Sequence, residues 1–207
     1  MPIPSLPADF INPYFIYPLV ALIGYLIGAI PTAYLVVKKL TGQDIRNIGS
    51  GNVGATNVKR AAGFKPYLFT MVVDGLKGLI PVLIVKGVFP AYYWLHILVA
   101  LSTVVGHSKS IYLGFSGGKS AATGLGGVLA LAPIPASLLG LFAFGITKAT
   151  RFVSVGSIAT SFLAPLLLYL FGMPWPYSLY AGFAGLYIIF MHKNNISRLI
   201  KGTENRI

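Results

Sequence analysis

The sequence predicts an all-α integral membrane protein with seven transmembrane helices. Of the 207 residues, 56% are hydrophobic and only 10% are charged, whereas soluble domains carry about 25% charged residues. Several apolar runs approach the length of about 20 residues that a helix needs to cross a bilayer. The seven runs cover residues 16–37, 66–89, 92–106, 121–131, 134–147, 153–171 and 177–191.

The fourth and fifth runs are short, and Pro133 and Pro135 lie at the junction between them. Proline interrupts a helix because it has no N–H to donate, so two crossings are expected here rather than one long helix. The cations support seven crossings. With the N-terminus outside, the loops 38–65, 107–120 and 148–152 and the tail share one side. They hold fourteen of the sixteen Lys and Arg residues, all except Lys77 and Lys86.

Loops rich in Lys and Arg face the cytoplasm, so the C-terminus and the glycine-rich loops are expected there. With six crossings, the four cations of the tail would lie outside. The chain is expected to form a single transmembrane domain, 1–207, with a short extracytoplasmic extension at 1–15. That extension has no Lys or Arg and does not have the pattern of a signal peptide.

The charge and the cysteine content exclude several classes of function. The net charge of +12 is attributed to the positive cytoplasmic loops and to attraction for anionic lipid, not to nucleic acid. The chain has no cysteine, which excludes disulfides and thiolate chemistry. The sequence shows no clustering typical of metal ligands, and we expect no metal and no cofactor.

The first polar motif is the glycine-rich stretch 49–57. Its spacing Gly49-x-Gly51-x-x-Gly54 matches the dinucleotide-binding fingerprint, but that fingerprint needs a preceding buried strand, and none is expected. The surrounding donors favour an anion-binding loop instead. The residues that we assign to it are Ser50, Gly51, Asn52, Thr56, Asn57 and Arg60.

The second motif, residues 115–120, reads FSGGKS. It resembles the end of a phosphate-binding loop, but the full pattern requires a glycine where Leu113 stands. A nucleoside triphosphatase is therefore not expected. Gly117, Gly118 and Lys119 are instead predicted to bind a smaller phosphate at the start of a helix near Ala121, where the helix dipole favours an anion.

The histidines and buried charges complete the candidates. His107 and His192 end the third and seventh runs on the expected cytoplasmic side, and Asn195 and Arg198 follow His192 at helical spacing. His96 is expected to be structural. Asp74 and Lys77, three residues apart in the second run, are expected to form an ion pair that orders the bundle.

These segments resemble the bacterial acyl-phosphate:glycerol-3-phosphate acyltransferase family, membrane enzymes that begin phospholipid synthesis. The matching residues are 49–58 with Arg60, 106–107, 115–123, 192–199 and 202–204, together with Asp74, Lys77 and Gly78. The resemblance covers the chain apart from its first fifteen residues. It implies that Ser50, Arg60 and Lys119 bind phosphate groups, and that His192, Asn195 and Arg198 hold the glycerol phosphate. His107, Gly117, Gly118 and Thr123 are further substrate-binding candidates.

The reaction implied is transfer of a fatty acyl group from acyl-phosphate to the first hydroxyl of glycerol 3-phosphate, which gives lysophosphatidic acid and phosphate. Acyl-phosphate has a good leaving group, so direct transfer without an acyl-enzyme is expected, by proximity and charge stabilisation. His192, Lys119 and Asn195 are the catalytic candidates. The general base is either His192, with His107 less favoured, or the substrate phosphate, which is preferred.

The resemblance implies an enzyme of the inner (plasma) membrane with its active site at the cytoplasmic face. We expect membrane lipid to surround the enzyme, no nucleic acid to bind it, and the enzyme to function as a monomer. The alternative is a transporter of a phosphorylated solute. Transporters usually show internal repeats and a site at the bilayer midplane, whereas the polar motifs here are expected at one face.

Overall fold

The computed structural model describes residues 12–207, which fold into ten α-helices. Residues 1–11, most of the predicted N-terminal extension, lie outside the described residues. The helices are α1 Pro13–Ala29, α2 Thr32–Thr41, α3 Ala55–Ala62, α4 Phe64–Val88, α5 Tyr93–Ser108, α6 Ala121–Leu131, α7 Pro133–Thr150, α8 Val153–Leu170, α9 Trp175–Met191 and α10 Lys193–Ile200. Within this part of the chain, β pairing is limited to one isolated bridge between Ser110 and Ser116.

Each predicted apolar run contains a helix, which confirms the all-helical fold. Three segments are long and apolar enough to cross a membrane, namely Tyr14–Thr41, Phe64–Val88 and Val153–Leu170. The helix break that the prolines predicted between the fourth and fifth runs is also present. Helix α6 ends at Leu131 and α7 begins at Pro133, so that only Ala132 separates them.

The first apolar run differs from its prediction as one uninterrupted helix. It forms α1 and α2, which are separated at Ile30 and Pro31, because proline disfavours helical backbone in the residue before it. Lys77 Nζ donates to the carbonyl oxygen of Ile30 at 2.7 Å. The same ammonium lies 2.7 Å from Asp74 Oδ1, so the predicted ion pair is confirmed and it also stabilises the helix break.

The long helices pack closely through glycine. A Cβ at Gly28 of α1 would collide with the backbone of Thr103 in α5, and one at Gly78 of α4 with the carbonyl oxygen of Thr123 in α6. Small residues of this kind let membrane helices approach each other and maximise van der Waals contact. The main apolar core lies among α4–α9 and includes Val20 of α1. It borders the cavity described next.

Candidate active site

One cavity of about 300 Å³ brings the three polar segments together. Its polar end is lined by Ser50, Asn52, Thr56, Asn57, Arg60, His107, Lys119, Ser120, His192, Asn195, Arg198 and Glu204. From there the cavity continues among α6, α7, α8 and α9, where apolar side chains predominate. A polar end with several cationic side chains and an apolar extension are therefore parts of one cavity.

The first segment is held in shape by Asn57, whose side chain is almost fully buried. Its Oδ1 accepts from the backbone N–H of Ser50 at 3.2 Å, and its Nδ2 donates to the carbonyl of Ile48 at 2.8 Å. The amide is thus occupied by the loop, although Asn57 lines the cavity. Gly51 has a φ of 69°, a left-handed conformation that favours glycine, and it shapes the turn.

The second segment places the beginning of α6 at the cavity. The backbone N–H of Gly118 donates to the carbonyl of His107 at 3.0 Å. A Cβ at Gly118 would lie 2.7 Å from the carbonyl oxygen of Val53, so this close approach requires glycine. Helix α6 begins at Ala121, the predicted position. Its first N–H groups have no intrahelical partners, and its dipole favours an anion there.

Four predicted binding residues support the site without lining the main cavity: Gly51, Gly117, Gly118 and Thr123. Gly117 and Gly118 pack against the end of α5. Thr123 is fully buried, and its hydroxyl donates to the carbonyl of Asp74 at 2.8 Å. In the structure these positions shape the loops and pack the helices, and their contact with substrate stays a prediction.

The third segment comes from the end of α9, from α10 and from the tail. His192 Nδ1 lies 2.7 Å from the carbonyl oxygen of Ile188, and a carbonyl only accepts, so Nδ1 carries the proton. Lys119 donates a hydrogen bond to Asn195 Oδ1. This bond joins the second segment to the third.

Glu204 organises the tail, and its side chain is 6% exposed. Its carboxylate accepts from Asn195 Nδ2 at 2.6 Å, from Arg198 Nε at 2.7 Å and from Ser154 Oγ at 3.0 Å. Burial raises the pKa of this carboxyl, but these three hydrogen bonds more than offset it and the pKa is lowered. Glu204 therefore stays ionised and fixes both Asn195 and Arg198.

The cations at the polar end are crowded. Burial, together with the charges of Arg198 and Arg60, lowers the pKa of Lys119 to about 8, while the charge of Glu204 opposes the shift. Three cations thus face one nearby carboxylate, and the excess positive charge suits an anion. Burial also lowers the pKa of His192 to about 4, so that its ring is neutral at pH 7.

Glu204 and Ser154 were not among the predicted site residues. Glu204 is one of only four acids in the chain and lies in a matching motif, which was the available signal. No acidic residue lies near a histidine in the sequence, but the fold places His107 Nδ1 3.8 Å from Asp74 Oδ1.

Across residues 12–207 no three His, Asp or Glu side chains group as metal ligands. His96 bonds to Tyr177 and to the Phe89 carbonyl, which confirms its structural role.

The helices define a multi-pass membrane protein whose cavity carries cationic side chains at one end and mainly apolar side chains along the rest. The chain belongs to the glycerol-3-phosphate acyltransferase family, whose profile matches residues 18–202. It is 45% identical to the glycerol-3-phosphate acyltransferase of Synechococcus sp. (strain JA-3-3Ab) over 190 residues, 91% of this chain and 92% of that protein. It is 43% identical to glycerol-3-phosphate acyltransferase 2 of Moorella thermoacetica, covering 91% and 96% of the two chains.

Two solved structures also resemble this chain. The chain resembles PlsY (YgiH), an integral membrane glycerol 3-phosphate acyltransferase, in its glycerol 3-phosphate form, with a TM-score of 0.88 and 40% identity over 92% of this chain and 95% of that one. The lysophosphatidic acid form of the same enzyme matches with a TM-score of 0.85 over the same shares of the two chains.

Proposed function

We propose that this enzyme uses a fatty acyl-phosphate as its donor and transfers the acyl group directly to the sn-1 hydroxyl of glycerol 3-phosphate. The coarser reaction follows from the family: the chain is a glycerol-3-phosphate acyltransferase, and acylation of glycerol 3-phosphate gives lysophosphatidic acid. The predicted enzyme class is thereby confirmed. The donor, the direct transfer and the residue roles are the proposal, in which the enzyme performs the first step of bacterial phospholipid synthesis.

The observation that carries the proposal is the composition of the cavity described above. Lys119, Arg60 and Arg198 supply positive charge at one end, and both substrates bring phosphate groups there. The apolar extension suits the hydrocarbon chain of the donor. Because one cavity contains both environments, the acyl carbonyl is held between them, within reach of a bound glycerol phosphate.

Catalysis in this proposal depends on position and charge. Lys119 and the N-terminal amides of α6 stabilise the negative charge that develops as the phosphate leaves. The Lys119–Asn195 hydrogen bond holds the ammonium in place, and Glu204 holds Asn195. Fixed donors of this kind cost little reorganisation when the reaction occurs.

The proton of the attacking hydroxyl goes to a substrate phosphate. A phosphate monoester has a second pKa of about 6, which makes it a stronger base than His192, whose pKa is about 4. The neutral His192 ring still has a role, since its proton lies on Nδ1 and Nε2 is left as a hydrogen-bond acceptor. In the proposal, Nε2 orients the hydroxyl.

The predicted topology completes the proposal. The chain is a single domain that crosses the inner (plasma) membrane seven times, with its N-terminus outside and its C-terminus and cavity mouth at the cytoplasmic face. Fourteen of sixteen cations then lie on the cytoplasmic side. Function as a monomer among membrane lipids is part of the proposal.

The test is an assay of purified protein in detergent with labelled glycerol 3-phosphate and three donors of equal chain length: acyl-phosphate, acyl-coenzyme A and acyl-carrier protein. We expect lysophosphatidic acid with acyl-phosphate alone, with one phosphate released per product. Product formed from a thioester donor but not from acyl-phosphate would overturn the donor assignment. Binding of glycerol 3-phosphate without turnover on any donor would favour the transporter alternative.

A further inference from the structure

The apolar part of the cavity has a closed end at a defined depth. On α8 its lining runs from Val153 to Ala164, and along α9 it runs from His192, which follows the helix, to Ala181. At about 1.5 Å of rise per residue, both walls are about 16 Å long. Val128 of α6 and Leu139 of α7 are the innermost lining residues of their helices, so four helices end the cavity together.

The side chains beyond this level are packed core. Ala136, Leu168 and Tyr177 are buried in the same apolar cluster as the four innermost residues, yet they do not line the cavity. The α8 wall carries the hydroxyls of Ser157, Thr160 and Ser161, but its innermost lining residue is Ala164. The closed end is therefore entirely apolar, as the end of a hydrocarbon chain requires.

We infer that Leu139 is a specificity-determining residue whose side chain ends the acyl channel and sets the length of the acyl chain accepted. It is fully buried and is the largest of the four side chains at the closed end. Ala164 and Ala181 fill little space, so they lie where a larger side chain shortens the channel. The inference rests on the proposed function, because it takes the fatty acyl chain as the occupant of the channel.

The physical basis is close packing. Truncation of a buried leucine leaves a void because the surroundings relax only in part, and apolar voids accept apolar guests. A longer acyl chain then reaches into the space that Leu139 occupied. In an apolar pocket, one methylene changes binding by about 10-fold or more, so the length preference responds measurably to a single substitution.

The test measures kcat/KM for a homologous series of saturated acyl-phosphates with wild type, Leu139→Ala and Ala181→Leu. We expect Leu139→Ala to move the optimum to chains longer by about two or three carbons, and to raise the ratio of kcat/KM for the longer to the original chain about 10-fold. Ala181→Leu moves the optimum to shorter chains. The KM for glycerol 3-phosphate stays at the wild-type value in both, since the polar end is unchanged.

Leu138→Ala is the matched control, because Leu138 neighbours Leu139 on α7, is 43% exposed and does not line the cavity. Its length profile is expected to equal that of wild type. Profiles of Leu139→Ala and Ala181→Leu that coincide with wild type overturn the inference. If Leu139→Ala fails to fold, Leu139→Val and Ala181→Leu replace it in the test, and profiles that coincide with wild type again overturn the inference. A wild type that consumes no acyl-phosphate overturns the donor proposal instead, and the series is then run with the donor that it does use.

Discussion

Lys119 and Asn195 lie 76 residues apart in the chain and are joined by a hydrogen bond from the lysine ammonium to the amide oxygen. The bond connects the beginning of α6 to α10 across the polar end of the cavity. Glu204 accepts from the other end of the same amide at 2.6 Å. One lysine, one amide and one carboxylate therefore hold the two sides of the candidate site together.

The alkaline side of the pH profile is expected to follow Lys119. Burial lowers its pKa to about 8, so the charged form is lost as the pH rises through that value. The plot of kcat/KM against pH, which reports the free enzyme, should fall above about pH 8. Lys119→Arg should remove this fall because a guanidinium stays charged, even though its overall activity is lower. A fall of the same shape in the arginine variant would assign it to another group.

Glu204→Gln is expected to lower both stability and activity. It weakens the charge-assisted bonds to Asn195 and Arg198 and costs about 1–3 kcal/mol of unfolding free energy. Because the pKa of Glu204 is lowered in the folded protein, its contribution is present above the unfolded value of about 4.3 and is lost as the pH falls through the folded value.

The measurement is thermal unfolding of wild type and Glu204→Gln at neutral and acidic pH. The difference between them should shrink in acid. Asp44→Asn is the control, since Asp44 pairs with Arg46 on the surface, where ion pairs contribute little. An equal loss of stability in both variants would contradict the special role of Glu204.

No covalent acyl-enzyme is expected to form. The chain has no cysteine, and the hydroxyl of Ser120 is buried and donates to the Val104 carbonyl at 2.6 Å. Ser50 is exposed, but within the described residues its hydroxyl has no histidine partner of the kind that activates a serine. Intact-mass spectrometry after incubation with acyl-phosphate alone checks this. An acyl adduct on either serine would replace direct transfer with a two-step mechanism.

The orientation of the chain in the membrane can be tested by labelling introduced cysteines with a membrane-impermeant thiol reagent, because the wild type has no cysteine. Single cysteines at Thr203 in the tail and at Ala91 between α4 and α5 are both placed on exposed residues. They should react from opposite sides of the membrane, with Thr203→Cys on the cytoplasmic side. Reaction of both from the same side would contradict the seven-crossing topology.

The helices could be predicted because their signals are local. The apolar run 121–131 coincides with α6, since Lys119 and the glycines before it and Pro133 after it mark both ends. The break between α1 and α2 had the same kind of local signal, a proline at position 31. It was missed because the apolar character of the run continues across it, and hydrophobicity alone does not distinguish one helix from two.

The contacts within the site depend on packing between distant segments. Asn195 and Arg198 were predicted as substrate ligands, and Glu204 lay in a matching motif nearby. Its hydrogen bonds to both side chains and to Ser154 of α8 were not predicted. The approach of Asp74 to His107 likewise arises only when α4 packs beside α5. Sequence motifs therefore predicted which segments bear polar groups, whereas the pairing of those groups required the fold.

The central claim is that the cations at the polar end of the cavity hold the phosphate groups for transfer, and Lys119→Ala tests it most directly. The measurement is lysophosphatidic acid formation from acyl-phosphate and glycerol 3-phosphate by folded, purified variants. Lys109→Ala is the control, because Lys109 is exposed and does not line the cavity. We predict a loss of at least about 100-fold in kcat/KM for Lys119→Ala and wild-type activity for Lys109→Ala. Near wild-type turnover by a folded Lys119→Ala enzyme would contradict the account.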